Sequence, residues 1–498
     1  MAERFFELKV VPLDIVTGRN WIVLINVEDG LKYGIRAGDE VSLRWDSRQT
    51  EVAVDLTTSF VKPGEIGILK DILEHYHLSS GEQLSLSLAP KPESLKAINK
   101  KLNGGRLSEK EITSIVEDTI NYKLSDLELA YFIASSFPEN NFTGEEAYFQ
   151  TKAFAETGEM FKFGKVVADK HSIGGLPGNK ITPIIVSIVA SYGITIPKTS
   201  SRAITSEAGT ADALSVISPV GFNREDIEKI VKETGACLIW GGALKIAPAD
   251  DRFITVLKHL GTEPLSKMVV SIMAKKVAMG VTHLVIDFPM GEGTKIKDMA
   301  TAKKTINLFK YIAKRFNIKL RVIIQDARGP IGKGIGPALG IRDDIAVLNQ
   351  LPNRPLDLEA KATLLAGALL ELTGYARRGK GKQLAQKALQ NKQALAKFKN
   401  IIEAQGGNVP DYDEVKLAPL VFEYKAKING LIKQMDNIAV IEIARILGAP
   451  ETLTAGIYLN KSLGDSYQKG ETLFTLYSES EARLEMAQDF LIAHNLIK

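Results

Sequence analysis

The residues best suited to chemistry in this 498-residue chain lie in one run, Val166-Val167-Ala168-Asp169-Lys170-His171-Ser172-Ile173-Gly174-Gly175-Leu176-Pro177-Gly178-Asn179-Lys180, followed by an apolar helical pattern from Ile181 to Ala190. The pattern predicts strand, glycine loop and helix. A glycine loop at a helix start offers unpaired backbone N–H groups and the positive end of the helix dipole, and Lys170 and Ser172 add a charge and a hydroxyl donor. The ligand such a set attracts is an anion, with phosphate the natural choice; a tight turn without a ligand is the alternative. It is not a Walker A loop, because Asn179 separates Gly178 from Lys180 and no hydroxyl follows directly. A second run, Ile196-Pro197-Lys198-Thr199-Ser200-Ser201-Arg202-Ala203-Ile204-Thr205-Ser206-Glu207-Ala208-Gly209-Thr210, leads into a helical stretch from Ala211 to Ile217. Two anion-ready loops at the carboxyl ends of neighbouring parallel strands can line one crevice and hold a ligand with phosphate and sugar groups. His171 is either a proton donor, its ordinary pKa being near 6.5, or simply the residue that orients the turn.

These loops need a frame. From 163 to about 410, apolar runs such as Leu284-Val285-Ile286 and Val322-Ile323-Ile324 alternate with amphipathic stretches, which predicts an α/β domain with a mostly parallel sheet. Residues 1–88 are β-rich with glycine punctuation and predict a small amino-terminal barrel. The proline-bearing stretch Ala89 to Ser94 reads as a linker, with Ser94 as the cap of the next helix. Residues 94–162 read as a helical domain with a capping box at Ser108 and Glu111, and 415–498 as a small α+β module. The fold class is therefore multidomain α/β. Gly332 to Pro337 reads as a turn, and the basic run Arg377 to Lys382 as a solvated loop. Lys461 and Lys469 lie in a segment similar to a lipoyl hammerhead, but the usual Asp-Lys pair is missing and no cofactor is expected there.

Composition narrows the function. With 63 Lys+Arg against 59 Asp+Glu, a formal charge of +4 and 7% aromatics, an extended nucleic-acid groove is excluded. The single cysteine, Cys237, forms no intrachain disulfide, so cytoplasm is the expected compartment. Charges flank the only apolar pair near the amino terminus, which predicts neither signal peptide nor myristoylation. The longest apolar run, Ile181 to Ile196, is interrupted by Ser187, Ser191, Tyr192 and Gly193, so no membrane span is expected.

Lys170 to Gly175, Ser201 to Ser206 with Ala208-Gly209-Thr210, Trp240-Gly241-Gly242, Ala247 to Asp251 and Ser271 to Lys276 together resemble the pyrimidine-nucleoside phosphorylases. More closely, the chain resembles their AMP phosphorylase and thymidine phosphorylase branch, over almost its whole length. The resemblance implies a pentosyltransferase in which inorganic phosphate, as cosubstrate, attacks the anomeric carbon of a nucleotide or nucleoside, with no cofactor and no metal. It further implies phosphate contacts from Lys170, Ser172, Thr182 and Thr210. Contacts to the nucleotide would come from Gly175, Ser201, Arg202, Ala203, Ile204, Thr205, Ser206, Ser271, Lys275 and Lys295. The leaving base needs a proton, and Glu263 stands where the AMP phosphorylases have an aspartate, with His171 as second candidate. The resemblance also implies a homo-oligomer, a dimer or larger. Two other readings compete: a magnesium-dependent phosphoribosyltransferase of the same fold, and a non-enzymatic nucleotide-binding protein.

Overall fold

The computed structural model describes residues 5–17, 21–46, 48–88, 92–137, 141–203, 206–260, 264–494 and 496–497. Ile204, Thr205 and Glu263 thus lie outside the described residues. The chain divides into two compact units, Met1–Thr157 with Pro248–Lys267, and Gly158–Ala247 with Met268–Lys498.

The first unit opens with strands β1 (Phe6–Leu13), β2 (Ile22–Asn26), β3 (Glu40–Trp45), β4 (Arg48–Thr57), β5 (Glu65–Leu69) and β6 (Gln83–Leu88), closed in the order β1-β5-β2-β4-β3-β6. Alternate residues such as Leu8 and Val10, Val23 and Ile25, Val41 and Leu43 fill the barrel, the period-two burial a strand imposes. Helices Ser94–Leu102, Glu109–Ile120, Asp126–Ala134 and Gly144–Glu156 follow, and Pro248–Leu260 returns to pack on them. The capping box of Ser108 and Glu111 is present, and Ser125 with Glu128 and Thr143 with Glu146 repeat it. Ser94 is not a cap: it is the first helical residue, Glu93 holds the cap position, and the buried Ser94 hydroxyl has no partner among the described residues. Trp21 from the barrel stacks on Tyr122 from the helical part, ring centres 4.2 Å apart.

In the second unit, β7 (Ala168–Ser172), β8 (Ile196–Ser200), β9 (Ala236–Trp240), β10 (His283–Met290) and β11 (Lys319–Asp326) are all parallel. They form a sheet in the order β11-β10-β7 and a β8-β9 pair, linked by a single bridge between Val167 and Thr195. The chain therefore runs outward through β7, β8 and β9, then returns to the other side of β7 for β10 and β11. The strand order thus reverses between β7 and β10, and open α/β sheets bind ligands at the carboxyl ends of the strands beside such a reversal. Helices Thr182–Ser191 and Leu356–Leu372 pack on these strands, and Pro337–Leu348 packs against both helices. Thr182–Ser191 and Pro337–Leu348 are buried almost all round, so their apolar runs lack amphipathic period, whereas Leu356–Leu372 keeps an exposed face at Leu356, Asp357, Ala360 and Leu364.

The carboxyl-terminal part holds β13 (Leu420–Lys425), β14 (Gly430–Leu431), β15 (Gly456–Leu459), β16 (Ser466–Tyr467) and β17 (Thr472–Ser478), with helices Asn437–Leu447 and Glu481–Ala493. Its main sheet has an unexpected member. Gly334–Ile335, read from sequence as part of a turn, is strand β12 and pairs with β15 through Gly334–Tyr458 and Ile335–Ile457. The run Arg377 to Lys382 is largely exposed as expected, its backbone held where Gly379 and Gly381 donate to Glu371. Among the described residues no helix is long and apolar enough to cross a membrane.

Candidate active site

Strand β7 carries charge into the interior. Asp169 is fully buried and Lys170 nearly so, a placement that costs free energy unless the charges are paired. Asp169 is well served: Lys198 Nζ lies 3.3 Å from Oδ1, Lys276 Nζ 2.6 Å from Oδ2, and the Lys170 N–H donates to Oδ1 at 2.7 Å. Burial alone would raise its pKa, but the two ammonium groups outweigh it and hold the carboxyl below its ordinary value. Asp287 on β10 is the second buried carboxylate, paired with Lys361 at 3.0 Å and accepting from Asn179 Nδ2 at 3.1 Å.

Lys170 has no hydrogen-bond or ion-pair partner for its amine among the described residues. Desolvation and the neighbouring Lys361 and Lys276 depress that amine to about 8, against the pull of Asp287 and Asp169. Of the lysines gathered at Asp169 and Asp287, Lys170 makes no direct ion pair among the described residues, and the fully buried Asp344 is a further carboxyl within its electrostatic reach, raised well above its ordinary pKa by burial and by Asp343. A buried ammonium without a direct ion pair favours an anion beside it.

The loop after β7 presents donors to the same place. Ser172 ends the strand and accepts from Asn179 Nδ2 at 3.1 Å, so its own O–H remains to donate. Gly175 sits at φ +87, and a Cβ there would lie 2.8 Å from the Cα of Thr294 in the loop after β10. That contact brings the Gly175 backbone against the N–H of Lys295, with Lys295 itself exposed. Thr182 is buried in the first turn of the following helix.

The second loop is tied to the first. Glu207 accepts from the Gly178 N–H at 3.1 Å and from Lys180 Nζ at 2.9 Å, while Lys180 Nζ also donates to the Ala208 carbonyl at 2.6 Å. Asp212 accepts from the Ala203 and Gly209 N–H groups at 2.7 and 2.8 Å and pairs with Arg202 at 3.1 Å. Gly209 is required because a Cβ would lie 2.2 Å from the Ser201 carbonyl oxygen. Thr210 then starts a helix of only five residues, Thr210–Leu214, shorter than the run to Ile217 expected from sequence. Ser201 and Arg202 are exposed, and Arg202 lies over the Trp240 ring at 5.1 Å.

On helix Leu265–Ala278, Lys275 Nζ lies 3.4 Å from Ser271 Oγ, one turn earlier. His171 is surrounded by cations. Desolvation first, then Lys276, Lys198, Lys170 and Lys275, push its pKa well below the ordinary value, so the ring is neutral near pH 7. A neutral imidazole donates a hydrogen bond but is a poor source of a full proton.

The structure thus places Lys170 and Ser172 on the strand that leads into the Gly175 loop, sets that loop against the loop of Lys295, and puts Lys275 within electrostatic reach of His171. Asp169, Lys198, Lys276, Asp287, Lys361, Asn179, Glu207 and Asp212 were not singled out from sequence. The available signal was charge inside otherwise apolar strands, as in Ala168-Asp169-Lys170 and Ile196-Pro197-Lys198.

Residues 164–395 match the family described as "Glycosyl transferase family, a/b domain", and residues 431–497 match "Pyrimidine nucleoside phosphorylase C-terminal domain". The AMP phosphorylase of Methanococcus maripaludis strain C6 is 40% identical over 97% of this chain and 95% of its own length. That of Pyrococcus furiosus is 42% identical over 96% of this chain and 95% of its own. Among solved structures, anthranilate phosphoribosyltransferase from Thermus thermophilus aligns with a TM-score of 0.53 and 16% identity, covering 62% of this chain and 99% of that one, a likeness of fold.

Proposed function

The chain belongs to the AMP phosphorylase family of pentosyltransferases, and from that membership we propose that it catalyses the reversible phosphorolysis of a nucleoside 5′-monophosphate such as AMP. Inorganic phosphate attacks C1′, the N-glycosidic bond breaks, and free base and ribose 1,5-bisphosphate leave. The observation that carries this reading is Lys170, a buried amine with no direct ion pair among the described residues, on the strand that leads into a glycine loop where the strand order reverses.

Phosphate is held by Lys170, Ser172, Thr182 and Thr210, beneath the sugar. The bond breaks through an oxocarbenium-like state, so the nucleophile must be fixed and negative charge growing on the base must be neutralised. Ser271 and Lys275 face the base, and Gly175, Ser201 to Ser206 and Lys295 take the sugar and its 5′-phosphate. The proton comes from Glu263. The neutral state of His171 supports this assignment over the imidazole, which then donates a hydrogen bond. We read the enzyme as a cytoplasmic homo-oligomer using inorganic phosphate as cosubstrate and no cofactor.

Base release from a panel of AMP, CMP, UMP, thymidine and uridine, with and without phosphate and with a chelator, tests the reaction. Release that depends on phosphate and survives chelation is expected. Equal release without phosphate refutes phosphorolysis, and loss on chelation points to the phosphoribosyltransferase reading. Lys295→Ala is expected to weaken use of AMP by about a hundredfold while changing adenosine little, because only the nucleotide loses a charge-assisted partner. Equal losses on both substrates would favour the thymidine phosphorylase alternative.

A further inference from the structure

Lys295 is presented by a loop that does not stand alone. Thr294 braces it from within, donating through Oγ1 to the Gly291 and Ile296 carbonyls at 2.9 and 2.8 Å. On one side the loop meets Gly175, as described. On the other it meets the start of helix Asn437–Leu447 in the carboxyl-terminal module: a Cβ on Gly293, at φ +77, would lie 3.2 Å from Asn437 Cβ and 3.5 Å from Ile438 Cγ1. Gln434 Nε2 donates to Glu292 Oε2 at 3.1 Å in the same seam.

Asn437 is buried to 3% exposure, although it sits in the first turn of its helix. Its Nδ2 donates to the Ala327 carbonyl at 2.8 Å, just beyond β11. Its Oδ1 has no hydrogen-bond partner among the described residues. The next backbone contact, from the Met435 N–H to the Arg328 carbonyl at 3.1 Å, anchors the same segment to the β11 loop. The helix cap is supplied separately, Asp436 accepting from the Ile438 and Ala439 N–H groups, so Asn437 is not spent on capping. A buried amide that leaves an acceptor unmade is a cost, and the position it holds lies between the loop after β10, which carries Lys295, and the loop after β11.

We infer that Asn437 is a positioning residue for nucleotide recognition: anchored on Ala327, it presses the loop of residues 291–295 against Gly175 and so sets the place of Lys295. The carboxyl-terminal module thereby determines how well a 5′-phosphate is distinguished from a bare 5′-hydroxyl. This rests on the assignment of Lys295 to the 5′-phosphate.

The test compares dissociation constants for AMP and adenosine, and amide exchange over residues 291–296, in the full-length protein and in Asn437→Ala, Lys295→Ala and the double variant. Asn437→Ala is expected to weaken AMP about tenfold, with adenosine changed less than about twofold, and to speed exchange over 291–296 by a similar factor. In the Lys295→Ala background the Asn437→Ala loss on AMP should vanish, since coupled positions are not additive. Gln434→Ala, which removes only the partly exposed contact to Glu292, should shift AMP about two- to threefold in the same direction and serves if Asn437→Ala does not fold. Equal weakening of both ligands, additive losses, or unchanged exchange would overturn the inference. If Lys295→Ala itself fails to discriminate AMP from adenosine, the Lys295 assignment falls and the selectivity role falls with it; accelerated exchange in Asn437→Ala would then show a bracing contact alone.

Discussion

A lysine taken out of water without a partner destabilises the fold that holds it, and Lys170 makes that cost visible in two opposed pH dependences. Its amine is depressed to about 8 from an ordinary 10.5. Between those values the folded chain releases a proton that the unfolded chain keeps, so stability rises with pH through this window. Phosphate affinity moves the other way, because the deprotonated amine no longer offers charge: KM for phosphate should climb as pH passes about 8, read from initial rates across a range from about pH 6.5 to about 9.5. Lys170→Met should abolish both trends, lower kcat/KM for phosphate by about a hundredfold or more, and leave the protein no less stable to urea. An unchanged phosphate KM in that variant would remove Lys170 from the site. For the departing base, Glu263→Gln should lower turnover by about a hundredfold with substrate binding little altered, and Glu263→Asp tests reach alone. Full activity in Glu263→Gln would hand the proton to water or His171. At this scale the placement of Lys170 and Ser172 on a strand and of the glycines in the loop before a helix was readable in the sequence, because each of these residue types carries its own local signal. The ion pairs beneath them were not, since no spacing rule links Asp169 to Lys198 and Lys276; only the pairing of strands and a helix packed against them does.

Between elements, hydrogen bonds and an ion pair join the loop after β7 to the loop after β8. The loop after β8 has little apolar content, and its shape comes from Asp212 reaching back to three donors and from Glu207 joining it to the loop after β7. Asp212→Ala strips those acceptors, leaving the Ala203 and Gly209 N–H groups unpaired; a KM for AMP raised about tenfold, with faster proteolytic cutting between 201 and 209, is the expected result. A cutting rate like that of the unaltered protein would show that the loop holds its form without Asp212. The strand, loop and helix around Lys170 were legible, because a short apolar run, clustered glycines and a longer apolar run each carry their own signal. Strand β12 was not: two residues between glycines and a proline have no period, and they become a strand only because β15 arrives from far along the chain. Ser94 misled for a related reason, since a good capping residue at a helix start marks the boundary only to within a position or two.

Across the molecule, burial of charge recurs. In the first unit Lys101 and Glu146 form a pair at 2.7 Å, each 1% exposed, and Lys267 sits over the Phe132 and Phe142 rings while donating to Gln150 at 2.6 Å. Desolvation drives the Lys267 amine well below its ordinary value. Glu146→Ala leaves Lys101 buried without its partner and should cost about 3–5 kcal/mol in urea unfolding; a loss under about 1 kcal/mol would mean water reaches the site. In the second unit, the distant partner is β12. Its residues sit well before the carboxyl-terminal sheet in the chain yet pair with it, and Gly456 approaches so closely that a Cβ would lie 2.2 Å from the Ile335 carbonyl oxygen. A ribosome delivers these partners in a fixed order. The parallel sheet can collapse while the closing segment is still inside the exit tunnel or unmade, yet β12 then has no neighbour and the Lys295 loop no backing. The backing of the Lys295 loop therefore forms only once Asn437 and its helix have been made, and a chain that stops before them is expected to lose its preference for AMP over adenosine before it loses phosphate binding.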